Sequence, residues 1–168
     1  MNTKTKNSGL FFMMIITFLC GVACVGFWIY SSISFTQNCS GHLERAANAN
    51  TIELAEKELS VALKYLEKEK ITSGSTHIFY ATPDNDINYW YTNIKSAYEE
   101  LKSIPKTSSL QERTNVLMKL RESLMGHSKN GDHVILPPRI SIYPNQTVIF
   151  IGSLLFLFLS SIAFKKIK

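Results

Sequence analysis

A short run of acidic and amide residues in the middle of the chain has the spacing of a calcium-binding loop. Residues 84–88 (DNDIN) place carboxylate or amide oxygens at alternate positions, as such loops do. The loop would then require a glycine at position 89 and a glutamate at position 95, where this chain has Tyr89 and Lys95. We therefore interpret the acids as the start of a helix, where the helix dipole favours negative charge.

Two histidines and an aspartate suggest a second metal site. His127, Asp132 and His133 lie within seven residues of a polar segment, and imidazole and carboxylate groups are zinc ligands. Their spacing matches no closed zinc site, and the other histidines, His42 and His77, are isolated in the sequence. The sequence therefore predicts no metal ion and no cofactor.

No group of residues predicts catalysis. The sequence contains no serine nucleophile elbow, no phosphate-binding glycine loop and no paired nucleophile and base. We therefore expect a protein that is not an enzyme, with no catalytic residues.

Aromatic residues cluster around the acidic run. Five of them lie within 13 residues, and Trp90 falls on an apolar helical stripe that belongs to a core. The other four could form a stacking platform for a glycan, a peptide or a small ligand. Packing at a helix end or against a membrane interface is the alternative. These candidate binding residues are Phe79, Tyr80, Tyr89 and Tyr91.

Three amphipathic helices are predicted to carry these residues. The first covers residues 51–70, with Asn50 as its cap, and the second covers residues 84–104. The third follows a cap at Ser109. Apolar residues recur at steps of three and four, which places them on one face of each helix. The stripes are Ile52, Ala55, Leu59, Ala62 and Leu66, then Ile87, Trp90, Ile94, Ala97, Leu101 and Ile104, and finally Leu110, Leu117, Leu120 and Leu124.

The helices are expected to form one domain, because none can bury its stripe alone. The predicted fold class is mainly α, with an antiparallel three-helix bundle over residues 36–125. A four-helix bundle results if residues 40–49 join it. Residues 126–146 contain an Asn-Gly turn at 130–131 and a proline-rich run, and predict an extended connector.

Two apolar stretches flank this domain and predict transmembrane helices. Residues 9–35 hold no charge and exceed the roughly 20 residues that a helix needs to cross the hydrocarbon core. Residues 147–164 are also uncharged and long enough if the lysines after them extend towards the interface. A cleaved signal is the alternative for the first stretch, since small residues precede Cys24, but the apolar run continues well past Cys24.

Small residues predict where the two spans pack against each other. Cys20, Gly21 and Cys24 lie in the middle of the first span, and Gly152 and Ser153 lie in the second. Small side chains let helices approach closely in lipid, where no hydrophobic force drives association. Close helix–helix packing within the membrane is therefore expected at these five positions.

The formal net charge of +5 indicates orientation in the membrane. It comes from five lysines that flank the spans; without them, 13 basic residues balance 13 acidic ones. The central domain therefore has no basic surface for nucleic acid. By the positive-inside rule, residues 1–8 and 165–168 are cytoplasmic and residues 36–146 lie outside, in an integral plasma (inner) membrane protein.

The third cysteine stands apart from the other two. Cys39 follows the first span, whereas Cys20 and Cys24 lie inside it. An unpaired thiol is predicted, and an intermolecular disulfide is the alternative.

Three segments resemble those of known bacterial proteins. Residues 40–50 (SGHLERAANAN), 90–95 (WYTNIK) and 137–144 resemble small uncharacterised two-pass membrane proteins with an exported helical domain, which have no assigned activity. The layout is also similar to that of chain-length regulators of bacterial polysaccharide export, whose exported domain is much larger. Chemoreceptor sensor domains share the helical hairpin, but only about four residues follow the second span, which disfavours direct signalling.

These observations predict a membrane-anchored accessory or scaffold protein without enzymatic activity. Its exported domain would bind a protein partner or self-associate. One alternative is a ligand-binding sensor module that uses the aromatic cluster. The other is a homo-oligomeric regulator of envelope polysaccharide assembly.

Overall fold

A computed structural model describes residues 3–129 and 131–167 of the chain. The mainly helical composition that the apolar stripes predict is confirmed. Two strands form a short hairpin. In chain order the elements are α1 (Thr3–Phe35), α2 (Gly41–Ala47), α3 (Ile52–Lys68), α4 (Ile87–Ser103), α5 (Leu110–Leu124), β1 (Met125–Ser128), β2 (Gly131–Val134) and α6 (Gln146–Ile167).

The chain divides into two compact units. The first combines the residues before Ile33 with those after Pro144, and the second is Ile33–Pro144. One described helix, Phe11–Ala47, is long and apolar enough to cross a membrane. It contains most of α1 and continues through a π turn into α2. A shorter apolar helix covers Gln146–Ile162.

The second unit is built around one core shared by α2, α3, α4 and α5. Leu43 of α2, Leu59 and Leu66 of α3, and Ile94 of α4 are almost completely buried. α2, within the residues 40–49 considered above, therefore contributes to the same core as the three predicted helices. On α5 the buried part of the stripe is confined to the C-terminal half, and Leu110 is 82% exposed.

Side-chain caps fix where the helices begin. Thr51 Oγ1 accepts a hydrogen bond from the Leu54 backbone N–H at 3.2 Å, so Thr51 caps α3. The predicted cap at Asn50 is therefore wrong by one residue. Ser109 caps α5 as predicted.

Residues 126–146, which the sequence predicts to be an extended connector, contribute side chains to the core of the second unit. β1 pairs antiparallel with β2, and Met125 lies opposite Val134. After an extended stretch, Ile140 is 3% exposed. The Asn-Gly turn is recognisable in the sequence. The two strands are not, because they contain glycine and histidine and lack an alternating apolar pattern. Asn130, the first residue of that turn, lies outside the described residues.

Candidate functional site

A cleft of about 750 Å³ lies between α4 and α5 in the second unit. Trp90 and Ile94 of α4 and Leu120 and Leu124 of α5 provide apolar lining, and the extended residues 135–138 complete it. This volume is within the range of about 300–1,000 Å³ that is typical of ligand sites. The cleft is therefore the candidate binding site of this unit.

Hydrogen bonds fix the extended wall of the cleft to both helices. Trp90 Nε1 donates to the Ile135 carbonyl oxygen at 3.0 Å. The Ile135 backbone N–H in turn donates to the Leu124 carbonyl oxygen at 2.8 Å. Since one residue is bonded to α4 and to α5, the walls of the cleft are held together in the absence of any ligand.

Polar side chains on the rim of the cleft are engaged in structural contacts. Asp86 Oδ1 accepts a hydrogen bond from the Tyr89 backbone N–H at 3.1 Å and so caps α4. Lys119 Nζ donates to both carboxylate oxygens of Glu100, at 2.8 and 2.9 Å. The cleft thus offers apolar contact area with a polar rim, an arrangement that suits binding.

The four aromatic residues predicted as one site lie in different surroundings. Tyr89 lines the cleft and is 66% exposed. Tyr91 lies roughly 200° further around α4, and its hydroxyl donates to Glu67 Oε1 of α3 at 2.8 Å. Phe79 and Tyr80 are exposed on the loop between α3 and α4. Of the four, only Tyr89 lines the cleft.

The Tyr91 hydroxyl predicts a loss of protein stability at high pH that can be measured. Burial, with the hydrogen bond and charge of Glu67, raises the pKa of Tyr91 to about 12 from its ordinary 10. Its contribution to stability is therefore fully present below pH 10 and is lost as the pH rises towards 12. We expect Tyr91→Phe to remove this part of the alkaline loss, measured as thermal unfolding of the full-length protein against pH.

Tyr89→Phe is the matched control for that measurement, because the side chain of Tyr89 is exposed on the same helix. It should leave the alkaline profile as in the wild type. An unchanged profile for Tyr91→Phe would contradict the assignment to Tyr91.

Residues 84–88, considered above as a calcium loop, build a turn around a buried amide. Asn85 is 1% exposed. Its Oδ1 accepts hydrogen bonds from Ser75 Oγ at 2.7 Å and from the Thr82 backbone N–H at 2.9 Å. The amide therefore closes the loop between α3 and α4 on itself. The sequence hinted at this only through the turn-forming residues around Asn85.

The same loop is fastened at its base to the end of the second unit. The Tyr143 hydroxyl donates to the Ser73 carbonyl oxygen at 2.6 Å. The next residue, Gly74, has φ +103° and lies against the Tyr143 side chain. The Gly74 carbonyl accepts from the Ile87 backbone N–H at 3.0 Å, which joins the loop to α4.

The residues considered for zinc lie on the β-hairpin. His127 Nδ1 and Asp132 Oδ1 are 2.6 Å apart, and Arg121 Nη2 donates to Asp132 Oδ2 at 3.0 Å. His133 follows Asp132 in β2, so its side chain points to the opposite face of the hairpin. In the part of the chain that the structure describes, no three metal-ligating side chains converge.

A charged cluster that the sequence did not reveal joins α2 to α3. Glu58 is 7% exposed, and its Oε2 lies 2.6 Å from His42 Nδ1 and 2.8 Å from Arg45 Nη2. Burial alone would raise the pKa of Glu58, but contacts with His42 and Arg45 outweigh it and leave the pKa lowered. The sequence contains one indication of this cluster. Glu58 lies next to Leu59 of the apolar stripe, and a charged residue on a buried helix face requires a partner of opposite charge.

Within the first unit, α1 and α6 approach closely through small residues. A Cβ atom added to Gly21 would lie 3.0 Å from the Phe156 ring. One added to Gly152 would lie 3.1 Å from Cys24 Sγ, and Cys20 Sγ is 3.9 Å from the Gly152 carbonyl oxygen. The structure therefore brings four of the five small residues selected above to one helix–helix contact.

The fifth, Ser153, bonds to its own helix. Ser153 Oγ donates to the Ile149 carbonyl oxygen at 2.6 Å, and Thr17 Oγ1 donates to the Met14 carbonyl oxygen at 2.8 Å. Such internal bonds satisfy hydroxyl groups without water.

Cys39 is a free thiol buried in the second unit. Its exposed fraction is zero, and burial raises its pKa to about 12. Because thiolates are the reactive form, an intermolecular disulfide at Cys39 would require local opening of the core.

No protein-family model, curated protein or solved structure matches the chain. Its function is therefore argued from its own geometry.

Proposed function

We propose that the chain is a two-pass membrane protein without enzymatic activity, which holds a partner-binding helical domain at the membrane surface. The membrane part rests on α1 and α6, where large apolar side chains are exposed to the surroundings. Phe12 and Phe18 of α1 are 66% and 68% exposed, and Phe158 of α6 is 65% exposed. Such surfaces are costly in water and favourable in lipid. The apolar part of α6, Gln146–Ile162, has 17 residues and is about 26 Å long, which crosses the hydrocarbon core if the lysines that follow it extend towards the interface.

The charge distribution supports one orientation. Lysines precede the apolar part of α1 and follow that of α6, whereas basic and acidic residues balance between them. The positive-inside rule then assigns the lysine-bearing ends to the cytoplasm and the second unit to the opposite side of the membrane.

The cleft between α4 and α5 carries the binding part of the proposal. The row of Trp90, Ile94 and Leu101 on α4 is spaced by helical turns and forms the floor of the cleft, with each side chain at most 9% exposed; buried Leu120 and half-buried Val116 lie on α5. An apolar floor between two neighbouring helices, with a polar rim, is the kind of groove that an amphipathic helix fills. From residue 90 to residue 101 the row is about 16 Å long, or three turns. We therefore propose an amphipathic helix of a partner protein as its occupant.

Site-specific photo-crosslinking in intact membranes tests this proposal. A photoreactive amino acid at Val116 lies in the cleft lining, whereas one at Met118 lies on the same helix, 57% exposed and outside that lining. We expect an adduct with a partner protein from position 116 and not from position 118. Val116→Asp should abolish association with that partner, because a carboxylate would be buried in the apolar groove, and Met118→Asp should preserve it.

The result that would overturn the proposal is equal labelling at the two positions, or none at position 116. Two differently tagged copies of the chain in the same membrane identify self-association. An adduct between them at position 116 would favour the homo-oligomeric regulator over an accessory protein.

A small apolar ligand is the second candidate occupant, because the cleft volume of about 750 Å³ suits one. A ligand that binds only the native state must raise the temperature of unfolding. If ligand panels raise it for the full-length protein but not for Val116→Asp, the sensor alternative is supported. An equal rise in both proteins would place the ligand elsewhere.

A further inference from the structure

The loop between α3 and α4 has the composition of a surface that contacts lipid. From Ile71 to Pro83 it contains no Asp, Glu, Lys or Arg. At its tip Ile78 is 39% exposed, Phe79 76% and Tyr80 60%. Tyrosine combines a large apolar body with a polar hydroxyl, and tyrosine and tryptophan are enriched at membrane–water interfaces, whereas phenylalanine adds apolar area of the kind that interfacial segments bury in lipid.

The tip is held in place by contacts within the loop. The His77 and Tyr80 rings stack with their centroids 4.8 Å apart. Asn85 Nδ2 donates to the Tyr80 carbonyl oxygen at 3.4 Å, which adds to the two bonds that its Oδ1 accepts. Exposure of the aromatic rings is therefore a property of an ordered turn.

Two contacts inside the second unit show which end of that unit carries the loop. Near the point where the chain enters the unit, the Phe35 ring packs edge-on against Tyr65, at the C-terminal end of α3, with centroids 6.2 Å apart. Near the point where the chain leaves, the Tyr143 hydroxyl bonds to the Ser73 carbonyl oxygen. The loop therefore begins at the end of the unit to which both apolar helices are covalently joined.

Chain length then limits how far the loop base can be from a membrane. Tyr143 precedes the first residue of α6 by three positions, and three residues span at most about 11 Å. If α6 crosses the membrane, Ser73 cannot be remote from the lipid interface. In a membrane-anchored chain, a lipid surface therefore lies near the base of the loop, whereas a soluble partner would have to be captured.

We propose that this loop is a membrane-contact element, in which Phe79 and Tyr80 enter the headgroup region of the bilayer. The proposal rests on the membrane anchoring proposed above. Apolar faces of interfacial segments are buried about 5–10 Å below the surface. The loop would act as a third point of attachment and set the orientation of the second unit at the bilayer.

Depth-dependent fluorescence quenching of the full-length protein in phosphatidylcholine vesicles tests this inference. The background carries Cys20→Ala and Cys24→Ala and keeps Cys39, whose fully buried thiol is not accessible to the dye. A single environment-sensitive dye is attached at Phe79→Cys, with Tyr80→Cys as a second probe. The matched control is Met118→Cys, an exposed apolar position on α5. We expect blue-shifted emission at residues 79 and 80, quenched by shallow lipid-borne nitroxides and protected from iodide. Residue 118 should show the reverse.

A further probe at Phe158→Cys on α6 separates this inference from the proposed function. Lipid quenching at residue 158 together with iodide access at residue 79 would overturn the loop contact and leave the membrane anchoring intact. Absence of lipid quenching at residue 158 would overturn both. Protection of residue 79 from iodide without lipid quenching would show that protein covers the loop, and would also overturn the lipid assignment.

Discussion

Replacement of Gly74 by alanine is expected to destabilise the second unit by about 3 kcal/mol. Gly74 has φ +103°, a conformation that L-residues rarely adopt. A Cβ atom there would also overlap the Tyr143 hydroxyl. That hydroxyl would have to move away from the Ser73 carbonyl oxygen, so the substitution would add backbone strain and remove a hydrogen bond together.

Gly131→Ala separates these two contributions. Gly131 has a similar φ of +109°, but no atom would lie within 4 Å of an added Cβ. Gly131→Ala should therefore reduce stability through backbone strain alone, and by less than Gly74→Ala does. Tyr143→Phe should reduce stability through the loss of the hydrogen bond alone. Thermal unfolding of the full-length variants in mild detergent measures all three, and equal losses for the two alanine variants would show that contact with Tyr143 is unimportant.

The Glu58→Gln substitution is expected to cost about 2 kcal/mol at neutral pH, the size typical of hydrogen bonds to a charged group. Glu58 is buried, and His42 and Arg45 both approach the same carboxylate oxygen, Oε2. An uncharged amide keeps the shape of the side chain but loses the attraction to Arg45. The substitution would weaken the contact between α2 and α3 without creating a cavity.

This substitution should also alter the response to acid. The folded pKa of Glu58 is lowered below its ordinary value of 4.5. The contribution of ionised Glu58 to the stability of the fold is therefore fully present above pH 4.5 and is lost as the pH falls through the folded pKa. We expect the difference in unfolding temperature between wild type and Glu58→Gln to be largest at neutral pH and to shrink in acid.

Glu53→Gln provides a control on the same helix. Glu53 pairs with Arg113 at 2.8 Å but is much more exposed than Glu58, and exposed ion pairs add little. Its substitution should have a clearly smaller effect. A difference between wild type and Glu58→Gln that stays constant with pH would contradict the role assigned to the ionised carboxylate.

The sequence was sufficient to predict the helices but not the contacts between charged and polar groups. Apolar residues at helical spacing placed α3, α4 and α5 within a few residues, because the stripe is a local pattern. The sequence does not distinguish Asn50 from Thr51 as the cap of α3, since both residue types are good caps and only backbone geometry separates them.

The missed features depend on residues that are distant in the sequence. Glu58 meets His42 and Arg45 only when α2 packs on α3, and Tyr143 meets Ser73 across 70 positions. The cleft likewise combines α4, α5 and an extended segment that was predicted to be a simple connector. The two-residue spacing of Tyr89 and Tyr91 places them on different sides of a helix, but only the fold shows that Tyr89 lines the cleft and that Tyr91 contacts Glu67 of α3.

The location of Trp90 has a practical consequence for identifying the cleft's occupant. The chain contains two tryptophans, Trp28 in the first unit and Trp90 in the cleft lining. In a Trp28→Phe variant, all indole emission would come from the cleft. The hydrogen bond to Ile135 holds that indole against the extended wall. The proposed binding surface therefore contains its own fluorophore, and binding of a segment without tryptophan can be followed without labelling either molecule.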